Sequence, residues 1–348
     1  MRQGDSISVR EASATDAQAW DTFVDWNEAA TFFHRYGWAV VIEKTFGHSP
    51  RYLLAERSGA VVGILPLIHK TSTLFGNALI SNAFCSYGGV AADDPEAAKA
   101  LEIQAEQLAE QLDVDYLEFR NTAPVRDDWI RKDTTYATFR KRMEPGRDEI
   151  IKAVPSKGRR HELRKSLHQG LRFEIDDDVD DFYKVFAESY RNLGTPVYPK
   201  RYFTNLMEVF GRDFDICVVR GPDGPLSSSM AFSFKDHVHP YYMGGTAAAR
   251  NVQANDFLFL NIMCRALERG YGTFDFGRSK VGTGSYDYKT YWGFKPQPLA
   301  YEYRLVRAEQ APDLNPLNPK YKVLVEAWKR LPLSVSKLVG PHIAGQIG

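Results

Sequence analysis

Cysteine is scarce in this chain of 348 residues: Cys85, Cys217 and Cys264 stand far apart, with no pairing or metal-ligand spacing. Three scattered thiols argue against a disulfide framework and fit a reducing compartment. Net charge is missing too, because 44 Lys and Arg offset 44 Asp and Glu. With no overall field, nothing global draws the protein to nucleic acid or to a membrane. No stretch approaches the roughly 18–20 apolar residues that a spanning helix needs. The opening residues, Met1-Arg-Gln-Gly-Asp-Ser6, are polar and hold no apolar signal core. These absences make a cytoplasmic globular protein the expectation. Its length is generous for one hydrophobic core and comfortable for two.

Charge is present locally. Residues 140–172 carry eleven Lys and Arg against four Asp and Glu, and Glu174 to Asp181 then supplies six acids. On a helix, Arg160, Arg164 and His168 of this basic stretch share one face. Arginine forks suit phosphate, so Arg159, Arg160 and Arg164 are candidates to hold a diphosphate. A solvated helix, balanced by the following acids, fits equally well.

The chain also repeats itself. Near Tyr87-Gly88-Gly89 a strand-like stretch ends in paired glycines, followed by a helical run, Pro95 to Leu112, and a strand, Asp115 to Arg120. Near Tyr242-Met243-Gly244-Gly245 the pattern returns, with a helical run from Asn255 to Arg269 and a strand, Thr273 to Gly277. Self-similarity of this kind is settled before any other reading of fold. Helices first, then an antiparallel meander, then strand–helix–strand is the order of an α+β acyltransferase fold. The expectation is two tandem acyl-CoA N-acyltransferase (GNAT-like) domains with mixed sheets flanked by helices, at 1–145 and 146–310. In the second, Ile150 to His168 reads as one basic helix.

Residues 311–348 read as a proline- and asparagine-rich linker and an amphipathic helix, Tyr321 to Val339. There Tyr321, Leu324, Val325, Trp328 and Leu331 follow i, i+3, i+4 spacing, with Lys322, Lys329 and Arg330 elsewhere. Such a helix either docks on the second domain or lies in a membrane interface. The second option leaves peripheral contact with the inner membrane open.

The densest chemistry lies in the second copy. Phe274-Asp-Phe-Gly-Arg278 leads through Lys280 and Gly282-Thr-Gly284 to Tyr288-Lys289 and Trp292-Gly-Phe294. Glycines let backbone N–H groups approach a ligand, and flanking cations favour phosphate or a developing oxyanion. The first copy's counterpart, Phe119 to Pro124, has no such series, so the fold does not require it. Tyr87 and Trp38 of the first copy are expected to face the cleft, together with Tyr242 and Asn255 of the second. His237 and His239 share one strand face without a third ligand, which suits surface histidines better than a metal site. Before the second long helix, where such acyltransferases carry a glycine-containing pyrophosphate loop, stands Ala248-Ala-Arg-Asn-Val-Gln-Ala-Asn255, with Arg250 but no glycine.

Lys157-Gly-Arg-Arg-His-Glu-Leu-Arg-Lys165, the Phe274–Arg278 strand end, and Tyr288-Lys289 with Trp292-Gly293-Phe294 resemble the Fem-type aminoacyltransferases, over residues 7–306. These are tandem, degenerate acetyltransferase-like proteins that add amino acids to cell-wall precursors. The sequence is similar to the branch associated with exosortase (PEP-CTERM) and exopolysaccharide gene clusters in Gram-negative bacteria. The resemblance implies that Lys289 stabilises the oxyanion of acyl transfer and that Tyr288 lines the pocket. The heptad arm often found in members that use aminoacyl-tRNA is missing here. The expected reaction is N-acyl transfer to a nucleotide- or lipid-linked sugar or peptide of peptidoglycan or exopolysaccharide. Arg278 would support Lys289, Asp275 would orient Arg278 or accept a proton, and Lys280 would contact substrate. No bound cofactor or metal is expected; aminoacyl-tRNA or acyl-CoA is the co-substrate. An acyl-CoA-dependent N-acetyltransferase of a small amine or amino sugar, and a non-catalytic scaffold of a polysaccharide assembly complex, stand as alternatives.

Overall fold

The computed structural model describes residues 6–72, 76–211, 213–312 and 319–347. The chain forms two compact units. One is built from residues 1–135, 298–313 and 345–348, the other from 136–297 and 314–344. Each has its own apolar core, around Leu53, Leu101, Leu117 and Phe119 in the first and around Phe139, Leu258, Phe274 and Trp292 in the second.

In the first unit, helices α1 (Ala17–Trp26) and α2 (Gly37–Phe46) precede a meander, and α3 (Pro95–Gln111) follows it. Strands Gly76–Ser81 and Tyr116–Asn121 pair in parallel, so α3 is the crossover between them. The start of α3 is set by local chemistry. The Asp94 carboxylate accepts from the Glu96 and Ala97 N–H groups, and Pro95 occupies the first turn, where its missing N–H costs nothing. Its inner face buries Leu101 and Leu108, each contributing about 1.5–3 kcal/mol.

The second unit repeats this order with α4 (Arg147–Ala153), α5 (Lys157–Ser166), α6 (Asp180–Leu193) and α7 (Lys200–Phe210), then the meander, α8 (Ala254–Glu268) and α9 (Gly284–Tyr291). Its six-stranded sheet runs Arg140–Arg142, Thr273–Asp275, His237–Gly245, Gly224–Phe234, Phe214–Gly221, Arg172–Asp176. Again the strands before and after the long helix are parallel neighbours. The second glycine of each pair is crowded by an asparagine side chain. A side chain at Gly89 would overlap Asn121, and one at Gly245 would come within 2.5 Å of Asn255. The asparagines come from different elements, Asn121 from the strand after α3 and Asn255 from the start of α8.

Several boundaries differ from the sequence expectation. Arg140–Arg142 pairs antiparallel with Thr273–Asp275, so the second unit begins near 136 rather than 146. Ala300–Leu305 pairs with Tyr116–Asn121 and Ile130–Lys132, and so belongs to the first unit. The single basic helix over 150–168 is two helices, because Pro155 interrupts it and Ser156 caps α5 by accepting from the Arg159 N–H. The C-terminal helix is likewise divided at Pro332 into α10 (Pro319–Lys329) and α11 (Leu333–Ile347). The Asn315-Pro316 and Asn318 part of the linker, and the Tyr321 side chain, lie outside the described residues. Among the described residues, no helix is long and apolar enough to cross a membrane.

Candidate active site

The main cavity opens in the second unit where two parallel strands part. His237–Gly245 and Thr273–Asp275 pair only at His237↔Thr273 and Val238↔Phe274. Pro240 has no N–H with which to extend that ladder. On the other side of the strand, Met230 faces Tyr242 and Ala231 faces Pro240, so Tyr241 is the extra residue of a bulge. A bulge bends its strand and re-aims a side chain. The resulting cavity, about 500 Å³, is lined by His239, Tyr241, Arg250, Asn255, Arg278, Tyr288 and Lys289, among others. A hollow of about 380 Å³ shares Ser189, Leu193, Gly245, Thr246 and Arg250 with it and adds Lys329. No described residue lining either space is acidic.

Lys289 sits on α9 with only 9% of its surface exposed. Its Nζ donates to the Gly277 carbonyl at 2.9 Å and the Arg278 carbonyl at 3.2 Å. An ammonium has three donors, which leaves one for the cavity. Burial pushes Lys289 down to about 7; Asp275 partly opposes that shift and Arg278 adds to it. The amine is therefore poised between its two protonation states near neutral pH. Gly277 makes the arrangement possible. Its φ is +68°, and a side chain there would strike the imidazole of His239.

Behind Lys289 lies a second layer. Asp275 accepts from Arg140 Nε at 2.7 Å, from the Thr138 hydroxyl at 3.3 Å and from the Gly277 N–H at 2.7 Å. Burial by itself would raise its pKa, but the surrounding positive charge and these hydrogen bonds hold it well below the usual carboxylate range. His239 lies 3.9 Å from the same carboxylate, and burial pushes it down to about 4. At neutral pH His239 is uncharged, so Arg140 is the cation that keeps Asp275 ionised. Asp275 anchors Arg140 and the Gly277 turn, and a carboxylate held this low does not suit the expected role of taking a proton.

Tyr288 is fixed from below. Its hydroxyl donates to Asp256 at 2.5 Å, Arg159 donates to the other Asp256 oxygen at 3.0 Å, and the Arg159 guanidinium lies 5.2 Å from the Tyr288 ring centre. Burial, reinforced by Asp256, raises the Tyr288 pKa well above its ordinary value, so the phenol remains a donor. Asn255, in the first turn of α8, accepts from the Ser227 hydroxyl at 2.6 Å and turns toward the cavity. Arg278 lines the cavity with its guanidinium 4.7 Å from the Tyr136 ring.

The other expected site residues lie elsewhere. Tyr242 is buried among Phe186, Tyr202 and Phe203 and shares a hydrogen bond with the Tyr202 hydroxyl, so its neighbour Tyr241 takes the cavity wall. Successive strand residues face opposite ways, and the bulge sets which one faces in. Trp38 is 0% and Tyr87 2% exposed, both packed on Phe33 within the first unit, which leaves neither ring a face for a ligand. Arg159 is occupied by Asp256, Arg160 donates to the carbonyls of Val154 and Pro155 at the end of α4, and Arg164 is exposed on α5. Lys280 lies outside the cavity wall, 6.0 Å from the Tyr136 ring. His239, expected at the surface, is instead a buried part of the site. Among the described residues no group of three or more His, Cys, Asp or Glu is placed to hold a metal ion.

Residues 156–290 match the acetyltransferase (GNAT) domain family. No curated protein sequence matches the chain. In structure the chain is similar to FemX, with a TM-score of 0.67 and 14% identity over 91% of this chain and 100% of that one. It is similar also to a tandem GNAT protein from the clavulanic acid biosynthesis pathway (TM-score 0.57, 11% identity, 88% and 100% covered). A third likeness is to the C-terminal domain of a putative lysylphosphatidylglycerol synthetase from Agrobacterium fabrum (TM-score 0.55, 14% identity, 84% and 92% covered). At these identities the likenesses speak to fold. Together with the domain match they show a GNAT-like acyltransferase fold and support an acyltransferase of the GNAT type.

Proposed function

We propose that the chain is an N-acyltransferase that moves an aminoacyl or acyl group onto an amine of an anionic cell-envelope precursor. The second unit carries the chemistry, and the first is a non-catalytic copy of the fold. The acceptor is a nucleotide- or lipid-linked sugar or peptide. Peptidoglycan and exopolysaccharide precursors both have this chemistry, and the Fem-type resemblance points to the same class. The observation that carries the reading is Lys289, whose amine is pinned by two carbonyls on the wall of a cavity with no acidic lining.

The neutral acceptor amine attacks the carbonyl carbon of an activated ester or thioester. A C–N bond forms, the tetrahedral oxyanion faces the free donor of Lys289 with Arg278 beside it, and the C–O or C–S bond then breaks. The leaving oxygen or sulfur takes the electron pair, and the proton released by the amine balances its charge. Oxyanion donors act most strongly in sites that exclude water, as the burial of Lys289 provides. Asn255 and the Tyr288 ring border the same space and would position the acyl group. The test is turnover of purified protein with charged tRNA and with acyl-CoAs, each offered with amine-bearing nucleotide-linked sugars and peptides. Product with any such pair supports the reading; binding of neither donor points to a scaffold.

A second reading, an acyl-CoA-dependent N-acetyltransferase of a small amine or amino sugar, is favoured by one observation. Gln253, directly before α8, has φ of +53°, a left-handed conformation that glycine adopts freely, and Arg250 beside it lines the cavity. The turn thus holds, without a glycine, a left-handed residue of the kind that phosphate-binding loops use, next to Arg250. A rise in melting temperature with acyl-CoA, and none with charged tRNA, would select this reading.

A further inference from the structure

We propose that α10 and α11 form a docking face for the surface of an anionic phospholipid bilayer. Isolated exposed apolar residues are ordinary on soluble proteins; here they are concentrated. Among the described residues, fourteen large apolar side chains are exposed, and five of them fall in these two helices: Val323 (76%), Leu324 (65%), Val335, Leu338 (72%) and Val339. The helices are already anchored through their other sides. Val325 presses on Gly194, Gly340 packs against Val197, and Arg191 donates to the Leu331 carbonyl. Val323, Leu324 and Leu338, all more than 60% exposed, therefore add little to the packing of the second unit.

Charge indicates the occupant. Residues 319–347 hold five cations, Lys320, Lys322, Lys329, Arg330 and Lys337, against one acid, Glu326, a balance of +4 in a chain that is neutral overall. Basic residues beside Val and Leu on a short helix match a headgroup layer, with the apolar side chains entering the acyl boundary. A second copy of the chain is a poor occupant. A two-fold contact sets the same patch against itself, which would bring Lys322, Arg330 and Lys337 against like charge. At about 1.5 Å per residue, helices of 11 and 15 residues are too short to cross the bilayer and long enough to lie on it. Lys329 of α10 also lines the hollow that shares Arg250 with the main cavity. If the acceptor is lipid-linked, as proposed above, the docked helix borders the space that receives it; the docking itself does not depend on that chemistry.

Co-sedimentation of the full chain with phosphatidylglycerol–phosphatidylcholine vesicles, and with phosphatidylcholine alone, tests this. The expected result is binding to the anionic vesicles only, lost at about 1 M salt, where the screening length falls to about 3 Å. L324E/L338E and K322E/R330E/K337E should each weaken binding at least tenfold, since every charge near such a surface contributes about fivefold. Both variants should keep the wild-type melting temperature and wild-type turnover of a soluble nucleotide-linked acceptor. No vesicle binding, equal binding to neutral vesicles, or unchanged binding by both variants would overturn the proposal. So would a wild-type dimer that L324E/L338E disperses. Absence of turnover with vesicle binding intact would instead count against the acyltransferase reading.

Discussion

Lys289→Met should change how stability responds to pH. The ammonium is almost fully buried, and its pKa falls from 10.5 to about 7, chiefly through burial. Because the folded value is depressed, the unfolded chain binds the proton more tightly between about pH 7 and 10.5. Stability then rises with pH across this window and is lost again as pH falls through 7. Integrated between about pH 7 and pH 9, this one group contributes about 2 kcal/mol. Methionine keeps most of the side-chain volume and removes the titration. Urea unfolding of both proteins at the two pH values isolates the effect, because every other titrating group cancels in the difference. Wild type should gain about 2 kcal/mol on the variant as pH rises. A difference independent of pH would refute a depressed Lys289 pKa, and with it the account of how the site is prepared.

Three further outcomes follow from other parts of the molecule. Arg159→Ala removes the partner of buried Asp256 and the cover of the Tyr288 ring, and should lower stability by about 2–4 kcal/mol in chemical denaturation; Tyr288→Phe should be milder. Gly277→Ala forces a side chain into positive φ and onto His239, so it should reduce both melting temperature and turnover, with a penalty of about 1–3 kcal/mol. Lys70, 1% exposed in the first unit, donates to the carbonyls of Gln346 and Ile347. Lys70→Ala leaves those carbonyls without this donor and opens a cavity, and should destabilise the protein by about 2–3 kcal/mol.

The long helices were legible because their signals are local. Asp94-Pro95 announces the start of α3, and apolar periodicity carries both α3 and α8. The repeat was legible because a glycine pair, a helical run and a closing strand recur in the same order in each copy. Lys289, Tyr288 and Arg278 stand out through residue type and through the absence of their series from the first copy, and they line one cavity together with Asn255. His239 could not be placed in advance, since its burial depends on Asp275 and on the space left by Gly277, both more than thirty residues away. The choice between Tyr241 and Tyr242 depends on a bulge whose partner is Met230–Ala231 on another strand. Trp38 and Tyr87 carry no local sign that separates a core aromatic from one in a cleft. The strand Ala300–Leu305 reads correctly as a strand, but its pairing with the first unit is a long-range fact. The breaks at Pro155 and Pro332 are different. Proline inside a helical run breaks or kinks the helix, and both breaks were available to a stricter reading.

Turnover of Lys289→Ala with the donor and acceptor pair that wild type uses is the most direct test of the central claim. Loss of a preorganised oxyanion donor predicts a fall in kcat of about 10²–10³, with the cavity still able to bind donor and with partial rescue by Lys289→Arg. Near wild-type kcat in Lys289→Ala would contradict the assignment of the site.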